Sequence, residues 1–264
     1  MRVLWIFAHP EARSLNGALR DAGVEALTEA GHEVVHSDLY AMGWDPVVSA
    51  ADFGNEDGRL HVGEASRQAR EDGKLRADIR GEQEKLDAAD AVILQYPLWW
   101  FGMPAILKGW MDRVLVQGYA YRVRHPETGR TRRYGDGGLA GKRGMVVVTV
   151  GAPESALGPR AIDGDMNDVL FPVQHGFFWY TGMRPLDPFV VPGSDRIDQA
   201  GFERHAGRLR ARMRALPTAE PIAFRHQDGG DYDERFVLRP DVAPGLTGYQ
   251  AHYAGRGQGG TVAL

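Results

Sequence analysis

Three short stretches combine residue types and spacings that could do chemistry. In the first, Ser14 and Asn16 stand at the expected start of a helix, just after an apolar run ending in His9-Pro10. Unpaired backbone N–H groups, the helix dipole and short polar side chains favour an anion such as phosphate there. A plain helix cap by Ser14 accounts for the same residues equally well. The second stretch is Gln95-Tyr96-Pro97-Leu98-Trp99-Trp100-Phe101-Gly102-Met103-Pro104. Three large rings in succession on a loop cannot all turn inward, and a planar ligand would use them. Packing against a second copy of the chain is the other reading, and the two are compatible. Pro97 and Pro104 stiffen the segment, while Gly102 permits close approach. The third stretch, Thr149-Val150-Gly151-Ala152-Pro153-Glu154, offers a hydroxyl and backbone N–H groups. Such donors hold an electron-rich carbonyl edge and stabilise charge on it, as an oxyanion hole does. Alone, the stretch reads as a turn.

Other patterns lack the context their chemistry needs. His32-Glu33-Val34-Val35-His36 matches a zinc-protease pattern, but that site needs both His one helical turn apart. Here the pair straddles Val-Val in an expected strand, where four residues span about 13 Å. Gly255, Gly257 and Gly260 satisfy G-x-G-x-x-G with no strand before them and no room for a helix after, so they read as a flexible tail. Gly141-Lys142 lacks the flanking residues of a phosphate-binding loop.

Each of the three chemical stretches follows an apolar run, and that is what brings them together. Arg2–Ala8 reads as a buried parallel strand, followed by a helix from Leu15 that Gly31 stops. Glu33–Leu39 is a second strand, and Tyr40–Arg80 a long polar region that could carry short helices. A helix over Gly81–Ala89 leads into a strand over Ala91–Tyr96, and Pro104 opens a helix running to Leu115. Arg122–Gly138 reads as an exposed hairpin or excursion. Met145–Val150 is a fourth strand, Asn167–Gly182 mostly helix and Phe189–Val191 a short fifth strand. Arg196–Leu216 is amphipathic, with Phe202, Ala206, Leu209 and Met213 inward. Gly255–Leu264 reads as frayed. The alternation predicts an α/β fold, a doubly wound five-stranded parallel sheet with helices on both faces. Ligands of such sheets sit beyond the carboxyl ends of the strands. The loops of interest are therefore His9–Asn16, Pro97–Met103 and Gly151–Asp165.

Composition narrows the class. Of 264 residues, 43% are hydrophobic and 25% charged, with a net charge of −4 and no Cys. Those proportions suit a globular protein, without the basic footprint of a nucleic-acid binder. Disulfides, Cys-based metal sites and thiol catalysis drop out. The longest apolar runs fall well short of the ~18 residues of a membrane span, and the first ten residues read as a strand rather than a signal peptide. The expectation is a cytoplasmic enzyme.

Several stretches together resemble the flavodoxin-like NAD(P)H:quinone oxidoreductase family of the DT-diaphorase type. They are His9–Ala18, Ser37–Met42, Glu82–Asp90, Gln95–Trp110 and Gly164–Asn167, spread in matching order over roughly the first two-thirds of the chain. The run from Pro97 to Trp110 is the most specific. The resemblance implies a homodimer with FAD, FMN being the lesser expectation, bound at each of two interface sites. NAD(P)H would be the donor, a small quinone-like molecule the acceptor, and hydride transfer ping-pong. It further implies that His9, Ser14, Leu15 and Asn16 hold the diphosphate and ribityl region, with His61 near the adenine. Pro97, Leu98, Trp99, Trp100 and Phe101 would lie along the flavin ring, and Thr149, Val150, Gly151 and Ala152 at its polar edge. Trp100, Phe101 and Tyr121 would line the pocket where nicotinamide and quinone alternate.

The chain departs from that family in places. Leu157 and Asp163 stand where its best-studied members carry a Tyr and a His proposed to relay charge, and Val123 replaces a second pocket Tyr. On this reading Asp163 caps the helix beginning near Asp165, Leu157 closes the pocket, and the N–H groups of Gly151 and Ala152 offset charge without a side-chain relay. His175 matches the first of a zinc-binding His pair in one paralogue, but Trp179 replaces the second, so no metal is expected. The division expected is a catalytic domain over 1–217 and an extension over 218–264, packed on the domain or on a partner. Competing readings are a reductase of nitro, azo or quinonoid natural products, and a flavin-binding regulatory subunit of a potassium-efflux system.

Overall fold

The computed structural model describes residues 1–54 and 58–255. The expected frayed tail, with Gly257 and Gly260, lies outside the described residues apart from Gly255. The main sheet contains β1 (Arg2–Phe7), β2 (Glu33–Asp38), β3 (Ala91–Pro97) and β6 (Arg143–Thr149). All pair in parallel, in the order β2-β1-β3-β6. The last rank holds two strands where one was expected. Both β7 (Arg184–Pro185) and β8 (Phe189–Val191) pair with β6, at Arg143–Gly144 and at Val147–Thr149. The sheet thus has five ranks and six strands.

Period-two alternation sends each strand's side chains to opposite faces, and both faces are covered. Val3, Trp5 and Phe7 of β1 pack with Leu19, Ala26 and Leu27 of α1 (Leu15–Glu29) and with Ala206, Leu209 and Met213 of α7 (Gln199–Arg214). A Cβ on Gly23 of α1 would lie 2.4 Å from the Trp5 ring, so only glycine lets that helix approach. Leu4 and Ile6 face the other way. Their layer includes Ile79 and Leu86 of α3 (Ala77–Ala88) and Leu107, Trp110 and Val114 of α4 (Ala105–Val114). Phe202, expected inward on α7, is only half-buried.

Some expectations hold and others are corrected. The polar region after β2 carries a full helix, α2 (Val62–Glu71), and α3 starts at Ala77, four residues earlier than its apolar pattern suggests. The excursion forms the expected hairpin, β4 (Val123–Arg124) with β5 (Thr131–Arg132), but its return is docked rather than exposed. A Cβ on Gly138 would sit 2.2 Å from the Tyr119 carbonyl oxygen. The helix expected over Asn167–Gly182 is broken into α5 (Met166–Val169), α6 (Phe171–Val173) and a π-helical turn over Gln174–Trp179. Pro172 is the cause: lacking an N–H, it is tolerated only in a first turn, so the helix must restart at Phe171. Beyond α7 the chain returns to the domain. The Ile222 N–H donates to the Pro185 carbonyl, and Ile222, Phe224 and Tyr253 form a small core with Phe171 and Trp179.

Candidate functional site

The carboxyl ends of β1, β3, β6 and β8 open on one cleft with two lobes that share Leu98 and Gly151. The polar lobe, about 400 Å³, is bounded by His9, Ser14, Leu15 and Asn16 from the first loop, Pro97 and Trp99 from the second, and Thr149 from the third. The apolar lobe, about 240 Å³, is bounded by Trp100, Phe101, Val150, Ala152, Leu157 and Asp163. Met166 and Val169 close its far side. The three loops singled out by their residue types therefore meet, as the strand-end rule requires.

A buried hydrogen-bond chain fixes the cleft floor. The Trp5 indole donates to Gln95 Oε1 at 2.8 Å, Gln95 Nε2 donates to the Asn16 carbonyl at 2.7 Å, and Asn16 Nδ2 donates to Thr149 Oγ1 at 2.9 Å. Four elements are thereby tied at one corner. Among the described residues, the chain of bonds leaves Asn16 Oδ1 buried without a partner. An unpaired buried carbonyl costs about 1–3 kcal/mol, a cost that a hydroxyl or N–H donor placed in the polar lobe would remove.

The first loop presents donors. Ser14 Oγ accepts from the Gly17 N–H at 3.1 Å, so Ser14 is a genuine cap. The N–H groups of Leu15 and Asn16 belong to the first-turn set that a helix cannot pair itself. His9 Nδ1 lies 3.1 Å from the Glu11 N–H and 3.0 Å from the Glu11 carbonyl oxygen, contacts that fix the orientation of the ring. Gly17 is required: a Cβ would meet the Ala12 carbonyl oxygen at 1.8 Å.

The second loop is held in a strained turn. Trp99 and Gly102 exchange backbone hydrogen bonds of 2.9 and 3.0 Å. Between them Trp100 and Phe101 have φ of 52° and 58°, left-handed values that cost a non-glycine residue about 1–2 kcal/mol each. The turn thrusts its rings outward: Trp99, Trp100 and Phe101 are 44%, 99% and 59% exposed. Strain of this kind persists where function uses it. In the third loop the Val150 N–H is spent on the Val191 carbonyl. The N–H groups of Gly151 and Ala152 have no backbone partner among the described residues.

Two expected site residues lie elsewhere. His61 precedes α2 and borders neither lobe. Tyr121 borders a separate apolar groove of about 550 Å³ with Met103, Phe177 and Tyr180. The two share a neighbourhood: a Cβ on Gly63, two residues after His61, would lie 3.4 Å from the Tyr121 hydroxyl. Asp163 is not the helix cap. Asp165 fills that role, its carboxylate accepting from the Asn167 N–H at 2.8 Å, because only Asp165 adjoins the first turn of α5. Asp163 instead donates its own N–H to the Ala156 carbonyl and borders the apolar lobe. Sequence reasoning missed Ser194 and Asp195, which border the polar lobe. They follow β8, so the strand-end rule that found the other loops would have found this one. Asp195 Oδ2 would lie 3.0 Å from a Cβ on Gly151, so the Asp195 carboxylate reaches close to the third loop. The His32–His36 pair enters and occupies β2, extended, with His32 Nδ1 3.3 Å from the Met1 amine.

The chain matches a family described by its flavodoxin-like fold over residues 1–213. It is 44% identical over 255 residues to a ribosyldihydronicotinamide dehydrogenase-like protein of Penicillium crustosum, covering 96% of this chain and 91% of that one. It is 42% identical over 193 residues to the NAD(P)H dehydrogenase (quinone) 1 of Rattus norvegicus, covering 72% and 68%. A crystal structure from Klebsiella pneumoniae, provisionally named a quinone reductase, superposes with a TM-score of 0.92 at 46% identity, covering 96% of this chain and all of the other.

Proposed function

The chain belongs to the flavodoxin-like family of NAD(P)H quinone oxidoreductases, and from that premise we propose that it reduces quinones with NAD(P)H at a flavin held in the strand-end cleft. The observation that carries the reading is the cleft's division into a polar lobe with the unpaired Asn16 Oδ1 and an apolar lobe walled by displayed rings. A flavin has the same division, with hydroxyls and phosphate on one side and a flat ring on the other. FAD is our choice over FMN, on family resemblance. Bound flavin would supply the two-electron carrier between donor and acceptor.

The protein's own residues bind, orient and exclude water. The N–H groups of Leu15 and Asn16, with His9 and Ser14, hold the phosphate side. Asn16 Oδ1 and the Ser194–Asp195 turn receive hydroxyls of the linking chain. Pro97, Leu98, Trp99, Trp100 and Phe101 fix the plane of the ring. The hydroxyl of Thr149 and the loop running through Val150, with the N–H groups of Gly151 and Ala152, hold negative charge at its polar edge. Leu157 closes the apolar lobe, and Asp163 relays no charge. Turnover is ping-pong, since donor and acceptor would use one pocket in turn.

His61 and Tyr121 reach such a site only from a second copy of the chain, so the enzyme works as a homodimer. The exposed Trp100 and Phe101 would meet the partner's Tyr121 groove there. Residues 1–217 form the catalytic domain and 218–264 an extension, whose described part, up to Gly255, packs on it. Flavin released by heat and weighed by mass spectrometry tests the cofactor, with one FAD per chain expected and FMN the contrary result. Quinone-dependent NAD(P)H oxidation by the isolated protein separates an enzyme from a regulatory subunit. Sedimentation showing a fully active monomer would defeat the shared site.

A further inference from the structure

We propose that a second cavity, formed where the C-terminal extension meets the hairpin return and α6, is a binding site for a planar aromatic anion. The cavity has a volume of about 450 Å³ and borders neither lobe of the cleft. One part of its lining is a column of rings: Tyr134 on His175 at 4.8 Å between centroids, His175 on Phe171 at 4.6 Å, and Phe171 on Tyr249 at 4.1 Å. Another part is Phe236, which stands at φ 64° with its ring exposed. The Arg133 guanidinium lies over that ring, 4.7 Å from its centroid.

The charges in the lining are unequally compensated. Arg225 donates to Asp231 at 2.7 Å and to the Ala251 carbonyl at 2.9 Å. His252 Nδ1 and the Tyr232 hydroxyl share a hydrogen bond of 2.8 Å, and burial keeps His175 uncharged, with its pKa at about 4. Besides its ring contacts, the Arg133 side chain hydrogen-bonds the Gln227 amide oxygen, at 2.5 Å on Nε. Among the described residues it pairs with no carboxylate, so its terminal nitrogens remain to be used. An inorganic anion would leave the exposed Phe236 ring and the apolar edges of the column wet, and a neutral ring would leave Arg133 without a carboxylate. A flat ring bearing one negative group uses both. Tyr134 meets Tyr180 edge-on at 5.1 Å, so the cavity lies one ring behind the Tyr121 groove without being part of it.

The test is calorimetric titration of the flavin-loaded protein with 2-naphthoate, with 2-naphthamide and inorganic phosphate as controls. Quinone-dependent NAD(P)H oxidation is measured alongside, so the fate of the flavin reading is known separately. One 2-naphthoate per chain is expected, with Kd below about 1 mM. Arg133→Gln should weaken it about tenfold or more, while Arg133→Lys, which keeps the charge, stays within about threefold. A saturating quinone should not displace it. Absence of binding, equal affinity for the amide or for phosphate, an unaffected Arg133→Gln protein, equal loss in both variants, or displacement by quinone would each overturn the assignment.

Discussion

The strand-end cleft and the aromatic column of the extension use similar side chains under opposite rules. In the column, Phe171 is buried and touches other rings on several sides, Tyr249 at 4.1 Å and Phe224 at 5.9 Å. In the cleft, Trp100 is held almost wholly in solvent by a left-handed turn that costs energy to maintain. A ring satisfied by its neighbours reports on stability. A ring that the fold holds outward against conformational cost reports on what it is meant to meet. The same contrast runs through the polar groups. Glu82 is buried, yet it accepts from Ser37, Trp110 and Lys85 at 2.7, 2.8 and 2.6 Å, whereas Asn16 Oδ1 accepts from no described residue.

The contrast can be broken most forcefully at Phe171. Phe171→Ala should cost about 3–5 kcal/mol of stability, as large-to-small changes of buried rings do. Quinone-dependent turnover per folded molecule should be retained. Urea unfolding checks this, and a loss under about 1 kcal/mol would mean the column is not a core at all. Trp100→Gly should do the reverse. Relief of about 1–2 kcal/mol of left-handed strain is offset by about 0.5–1 kcal/mol of glycine entropy, so the melting point should barely move. Yet kcat/KM for NAD(P)H-dependent quinone reduction should fall about tenfold or more.

A pH series sharpens the same comparison. Burial, and then the nearby His252, lower the His175 pKa to about 4 from 6.5. Between those values the unfolded chain takes a proton that the folded one refuses. Stability should therefore fall as pH drops from 6.5 towards 4, and be independent of this residue above that range. His175→Phe should flatten that part of the profile. The smallest effect is expected at Asp163. With the Gly151 and Ala152 N–H groups holding charge, Asp163→Asn should change the rate of flavin reduction by less than about tenfold, which is about 1.4 kcal/mol of barrier. Rapid-mixing absorbance decides it; a hundredfold fall in a folded, flavin-loaded protein would make Asp163 part of the chemistry.

Much of this was legible in the sequence where one physical rule dominated. Continuous apolar runs gave the parallel strands, including the short Phe189–Val191, and strand-end loops gave most of the cleft. Helix α2 was not legible because its buried stripe contains only Ser66 and Ala69, too small to register as a hydrophobic period. The break at Pro172 is hidden by the apolar residues that flank it, which continue the pattern of one helix. Between Asp163 and Asp165, either could have been the cap, and only the backbone geometry distinguishes them. The second cavity draws its rings from the hairpin return, α6, and two parts of the extension. No local pattern in the chain can announce a site assembled over such separations.

The central claim is that the cleft carries a redox-active flavin, and anaerobic titration at the visible flavin band tests it most directly. The purified or FAD-reconstituted protein should be yellow. It should lose that band with about one equivalent of NAD(P)H per chain and regain it with about one equivalent of quinone. A protein that stays colourless after reconstitution, or whose colour neither donor nor quinone alters, would contradict the account.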